Sequence, residues 1–256
     1  MADINTYLTP VKNNPTACTD CSIRRLALFN GIPESDLLWT QNYRSCQYKF
    51  PARQEIYTET QQSNFMYTIY HGWFAIYKTL ENGKRQILKI ALPGDMIGYQ
   101  ANFEAPMTYS AASLTDAVLC AFKRTDLPDL FRKNGNVARR LSEMNARDMH
   151  LCHSRLLTIG QHTAIEKVAH CCAEIFFRMK MIFSNSESDS IEFPLSQEDL
   201  GDMTGLTKIH VNRTLKQLRE MGIMEISSRT LHVYDSEELC KVGYFDPVTI
   251  NTYILY

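Results

Sequence analysis

The segment Ser196–Arg219 constrains the chain most. Ser196 is followed by Glu198 and Asp199, the pattern of a helix start with a side-chain cap and acids in the first turn. Gly205 suits the left-handed residue that closes such a helix, and Thr207 can cap a second one. Two short helices joined by a turn of about 3–4 residues make a helix-turn-helix. In the second helix Val211, Leu215 and Leu218 recur at i, i+4 and i+7, so one face is core. Lys208, Ile209, His210, Asn212, Arg213, Lys216 and Arg219 fall off that face.

The charge around this helix is unusual for its surroundings. From Thr207 to Arg219 there are four Lys or Arg and no Asp or Glu, whereas from Ala164 onward the chain carries nine Lys+Arg against fourteen Asp+Glu. The whole chain has a formal charge of −1, so any nucleic-acid affinity has to come from a local patch that replaces counterions on phosphates. The side chains suit base reading. Arg213 can bond guanine bidentately, Asn212 can pair with adenine, and Ile209 can touch a thymine methyl. Ser196, Thr207, Lys208, His210 and Lys216 complete the expected DNA-contact set. Gly222–Ile226 and Leu231–Tyr234 then read as a hairpin wing across Ser227–Thr230.

Upstream the texture is different. Between Tyr43 and Phe122 short β-rich runs alternate with turn signals, and about eight strands are expected, as in a sandwich or barrel. Asn82-Gly83 predicts a type I′ hairpin turn, in which both central residues have positive φ. From about Val137 to Ile159 a long helix is expected. Its broken stripe, Val137, Leu141, Met144, Leu151 and Leu156, predicts a seam between two parallel copies, with packing on the chain's own barrel as the alternative.

The expected organisation is a polar cysteine-containing leader (1–25), a sensor β-barrel (26–135), a dimerisation helix (136–160), a winged helix-turn-helix (161–242) and a tail of unassigned role (243–256). The fold class is α+β. No run of about 18 apolar residues is present, so no spanning helix is expected. Met1–Thr19 lacks an apolar signal core, which points to the cytoplasm. There is no phosphate loop, HExxH or nucleophile elbow, so an enzyme is not expected.

This order resembles the CRP/FNR superfamily of bacterial transcription regulators over about residues 18–242. The carrying motifs are Glu81-Asn82-Gly83-Lys84 and Leu92–Gly98 in the barrel, and Ser196–Gly201, Gly205-Leu206-Thr207 and Arg213-Thr214-Leu215 in the C-terminal part. The resemblance implies a cupin-like, cyclic-nucleotide-binding-like barrel. It also implies a homodimer on a near-palindromic duplex, with RNA polymerase as a further partner. Arg213 matches the family's guanine-reading arginine. Ile209 stands where many members carry a glutamate, which implies a variant target sequence.

The resemblance also divides the possible signals. Cyclic-nucleotide members hold the phosphate through a Gly-Glu segment and an Arg-Ser pair. Here the corresponding stretches are Gly98-Tyr99-Gln100 and Tyr109-Ser110-Ala111, so cyclic AMP is not expected. The iron–sulfur branch is closer, because Cys18-Thr19-Asp20-Cys21 and Cys120 resemble its ligands. Its third N-terminal cysteine falls near Ala27. Three readings stay open: a cluster completed by Cys46, a Cys18/Cys21 dithiol switch or remnant, and a small organic or gaseous effector. His150 and His153, at i and i+3, would share a metal only with a further ligand of matching phase.

Overall fold

The computed structural model describes residues 7–12, 15–183 and 188–251. Ser184–Glu187 of the polar stretch after Phe183, and Tyr253 and Tyr256 of the tail, lie outside them. The chain divides into two compact units, one of residues 1–78 and 90–145, the other of residues 79–89 and 146–255. Among the described residues no helix is long and apolar enough to cross a membrane.

The barrel is built from β2 (Arg44–Phe50), β3 (Glu55–Tyr57), β4 (Phe65–His71), β5 (Phe74–Thr79), β6 (Arg85–Ala91), β7 (Met96–Ile97), β8 (Ser110–Ser113) and β9 (Ala117–Lys123). The leader adds β1 (Thr9–Pro10), which pairs antiparallel with β2 and was not expected. The sheet orders are β1-β2-β9-β4-β7 and β3-β8-β5-β6. β9 explains why its sequence reads as a continuous apolar run. Leu119 and Ala121 face the inner core with Phe50, Ile69 and Phe74. Cys120 and Phe122 face the opposite way, into a second cluster with Leu28, Phe29 and Val137.

The turn at Asn82-Gly83 is not type I′. Gly83 has φ +80° while Asn82 is not among the positive-φ residues. Gly83 N–H donates to Leu80 O and Leu80 N–H to Lys84 O, the pattern of a type I turn closed by a left-handed glycine. One extra loop residue relieves Asn82 of positive φ.

Helices α1 (Glu34–Thr40) and α2 (Leu127–Lys133) precede the long α3 (Gly135–Gln161). The expected dimer seam on α3 has to be corrected. Val137, Leu141, Met144 and Leu151 are all buried within the chain itself. Val137 and Leu141 join the cluster of Leu28, Phe29 and Leu130, so that stripe packs on its own barrel unit. A different row is exposed: Asn145, Met149 (58%), Cys152, Leu156 (70%) and Ile159 (37%). Its steps alternate four and three residues, the spacing of a coiled-coil seam. Leu156 alone of the predicted stripe belongs to it. Periodicity marks an apolar face but does not say which of two faces meets the chain's own core.

α4 (Ala164–Ile182) starts at a capping box, Thr163 with Glu166. Its carboxylate Glu174 is buried and accepts from Arg155 Nε at 2.8 Å and Arg178 Nη1 at 3.1 Å. Burial alone would raise the Glu174 pKa, but the flanking guanidiniums hold it down at about 2. α7 (Ser236–Gly243) and α8 (Val248–Asn251) carry the start of the tail. Phe245 and Ile250 are buried, Phe245 stacks on Phe177 of α4, and His170 Nδ1 lies 2.8 Å from Gly243 O. The described part of the tail therefore docks back on α4.

Candidate nucleic-acid interface and thiol cavity

The helix-turn-helix comprises α5 (Gln197–Thr204) and α6 (Lys208–Glu220). Ser196 Oγ accepts from Asp199 N–H at 3.1 Å, and the Asp199 carboxylate accepts from Ser196 N–H at 2.9 Å. This reciprocal cap uses the first-turn donors that would otherwise be unsatisfied. Gly205 closes α5 at φ +71°, and Thr207 Oγ1 accepts from His210 N–H to start α6. A Cβ on Gly201 would lie 2.7 Å from Leu206 O, so the turn crosses α5 only over a glycine. Behind the motif, β11 (Met224–Ser227) and β12 (Thr230–Val233) form the wing. β10 (Ser190–Glu192) pairs with β12 to complete a three-stranded sheet.

α6 presents its faces as its sequence requires. Val211 and Leu218 are fully buried, Leu215 is half-buried, and Thr214 is also buried. Thr207, Lys208, Ile209, His210, Asn212, Arg213 and Lys216 are exposed, Ile209 to 68%. Such exposure of a large aliphatic side chain on a basic face is suited to an apolar contact with a thymine methyl. Among the described residues Lys208 and Arg213 have no ion-pair partner, whereas Lys216 faces Glu220 at 3.6 Å and Arg219 faces Glu225 at 3.5 Å. Ser196 is exposed, but its hydroxyl is engaged in the α5 cap, donating to Asp199 Oδ2 at 2.7 Å. The adjacent Gln197 was not singled out from the sequence. Its Oε1 accepts from Asn212 Nδ2 at 3.3 Å. The Ser196 cap pattern drew attention one residue too early.

The second candidate site is a cavity of about 30 Å³. Its walls include Cys18, Cys21, Cys120, Ala27, Arg44 and Thr68. Arg44 Nη1 donates to Thr16 O at 2.6 Å, and Gln47 Nε2 donates to Cys120 Sγ at 3.6 Å. Burial raises the Cys18, Cys21 and Cys120 thiols, Cys120 to about 11, against the opposing pull of Arg44. Cys46 is not brought in. Gln47 turns toward Cys120, so its neighbour Cys46 points through the other face of β2, beside Tyr48. The Cys46 thiol donates to Gln47 O at 3.3 Å.

These residues do not fit the four-thiolate iron–sulfur cluster that the family branch implies. Three thiols reach the cavity, and Ala27, near which the resemblance places a further cysteine, offers only a methyl group. Among the described residues no group of three or more His, Cys, Asp or Glu is arranged to hold a metal, His150 and His153 included. The stretches corresponding to a cyclic-nucleotide clamp are used internally. Tyr109 donates to Tyr99 O at 3.3 Å, and Ser110 Oγ accepts from Glu59 N–H at 2.9 Å.

Comparison with known proteins agrees with this geometry. Residues 47–134 match the cyclic nucleotide-binding domain family, and residues 166–242 match the Crp-like helix-turn-helix domain family. The chain is 26% identical to the nitrogen fixation regulation protein FixK of Bradyrhizobium diazoefficiens, over 84% of this chain and 89% of that protein. It is 28% identical to the transcriptional activator protein FnrL of Cereibacter sphaeroides, over 83% of this chain and 85% of that protein. Among solved structures, FixK2 from Bradyrhizobium japonicum superposes with a TM-score of 0.67 at 28% identity, covering 77% of this chain and 96% of that one. With a cyclic-nucleotide-binding-like barrel, a Crp-like helix-turn-helix and relatives that match along most of its length, the chain belongs to the CRP/FNR family of DNA-binding transcription regulators, on its FNR-like branch.

Proposed function

We propose that this regulator works in the cytoplasm as a homodimer that reads a near-palindromic duplex through paired α6 helices and acts on RNA polymerase there. The observation that carries the reading is the exposed face of α6, where Lys208 and Arg213, on a capped helix-turn-helix frame, have no ion-pair partner among the described residues. Two such helices fit successive major grooves about one helical turn apart. The exposed row Met149, Cys152, Leu156 and Ile159 supports the pairing, because a contiguous apolar seam in water favours a second copy. Leu156→Glu is expected to convert the dimer to monomer in analytical ultracentrifugation and to weaken operator binding at least tenfold. A bifunctional maleimide should link wild-type chains through Cys152. A Leu156→Glu protein that still sediments as a dimer would exclude this seam.

The sensing unit is read as a thiol switch in the Cys18/Cys21/Cys120 cavity, on the observation that three thiols line it and Ala27 beside them offers only a methyl group. In it two thiols and one hydroperoxide give a disulfide and, from hydrogen peroxide, two waters. Cys18 and Cys21 are the expected pair, because they share one turn of the leader. Protein purified without oxygen should contain no acid-labile sulfide. Its Cys18 and Cys21 should accept an alkylating label that peroxide treatment blocks. About four irons per chain would overturn this reading.

A further inference from the structure

Gln197 and Asn212 are fifteen positions apart, on different helices of the motif, yet their side chains meet. Gln197 is the first residue of α5, and Asn212 lies one turn into α6. Asn212 donates one of its two amide N–H groups to Gln197 Oε1 at 3.3 Å. That leaves Asn212 with one donor and one acceptor in a single plane. The major-groove edge of adenine offers the complement, an N7 acceptor and an N6 donor. The bond to Gln197 therefore spares the pair of groups that adenine needs. With Gln197 Oε1 turned toward it, Asn212 keeps its amide nitrogen on that side, since a flip of Asn212 alone would set carbonyl against carbonyl.

Gln197 keeps its own NH2 group after accepting from Asn212. That group is carried at the start of α5 and can donate to a phosphate oxygen, as glutamine side chains commonly do on duplex DNA. The side chain can thus join a backbone phosphate to the base-reading amide.

We propose that Gln197 is a specificity-determining positioning residue: it orients Asn212 for adenine and bonds the neighbouring phosphate. The proposal rests on the reading that α6 enters the major groove. Pre-ordering one amide side chain is worth about a 3- to 10-fold gain per half-site, by the usual cost of immobilising a rotamer. Neither residue is part of the buried core, so substitution should leave the thermal unfolding midpoint in place.

The test starts with the duplex selected by the wild-type protein from a random-sequence pool. Affinities for that duplex and for each single base-pair change are then measured at fixed salt. Gln197→Ala should lower discrimination about 3- to 10-fold at the one base pair where Asn212→Ala abolishes it. Discrimination at the Arg213 position should be unchanged, and the double variant should discriminate no worse than Asn212→Ala. Gln197→Glu retains an acceptor for Asn212, so it should keep discrimination while weakening binding to every sequence. Uniform weakening by Gln197→Ala, an effect additive with Asn212→Ala, or no effect would each overturn the proposal. An Arg213→Ala protein that keeps full sequence discrimination would instead reject α6 as the reading helix.

Discussion

Arg213→Ala is expected to abolish sequence-specific DNA binding while leaving a folded dimer. A bidentate arginine–guanine pair contributes about 1–3 kcal/mol of discrimination. A two-fold site contains two such pairs, so the loss reaches about 30-fold at the low end and well beyond 1,000-fold at the high end. The guanidinium is exposed and, among the described residues, has no ion-pair partner, so its removal leaves no buried group unsatisfied. Titration of labelled specific and random duplexes by fluorescence anisotropy separates the two affinities. The gap between them should collapse, with little change in the melting curve. Lys208→Ala is the control: as a phosphate contact it should weaken all sequences alike and reduce the salt slope by about one. Retained discrimination in Arg213→Ala would remove the central contact from the proposed interface.

Glu174→Ala is expected to have the largest effect on stability, about 3–5 kcal/mol, because it strands buried guanidiniums. Arg155, near the end of α3, and Arg178, one turn further along α4, both bond this carboxylate. The three groups tie the end of the long helix to the first helix of the DNA-binding part, so the variant should also lose operator affinity through a loosened scaffold. Chemical denaturation followed by circular dichroism measures the first effect, and a loss under about 1 kcal/mol would show that the charges find other partners or water. The pH dependence has a definite sign. Folding lowers the Glu174 pKa to about 2 from an ordinary value of 4.5. Its contribution is therefore complete above the ordinary carboxylate range and is lost as pH falls from there toward 2. In Glu174→Gln that part of the acid dependence should disappear.

How much of this was legible beforehand differs by feature. The recognition helix could be read because its signals are local: a cap, a left-handed glycine and one core face lie within two dozen residues. The barrel strands β3, β4, β5, β6 and β9 were legible for the same reason, whereas β2, β7 and β8 carry no comparable apolar run. The wing hairpin across Ser227–Thr230 was legible too, but the conformation of its turn was not. Ser228 and Arg229 both take positive φ, at +49° and +59°, without a glycine or asparagine to announce it. Strand pairing of Ser227 with Thr230, and the bond from Phe193 N–H to Arg229 O, impose that conformation. At Asn82-Gly83 the dipeptide was right for a hairpin but could not report the loop length, which decides the turn type.

The cysteines show the same divide. Spacing pointed to Cys18 and Cys21, and resemblance to Cys120 and the neighbourhood of Ala27; the tertiary structure brings all four positions to one cavity. Whether Cys46 could join them depended on strand parity, and a β-strand sends adjacent side chains to opposite faces. The sequence by itself determined the helix-turn-helix, its basic exposed face and the barrel, because capping, periodicity and turn chemistry act over a few residues. Only the tertiary structure decided which stripe of α3 is buried, which thiols share a wall, and that Gln197 reaches Asn212. Those outcomes depend on which distant surfaces exclude water together, and no local pattern encodes the partner.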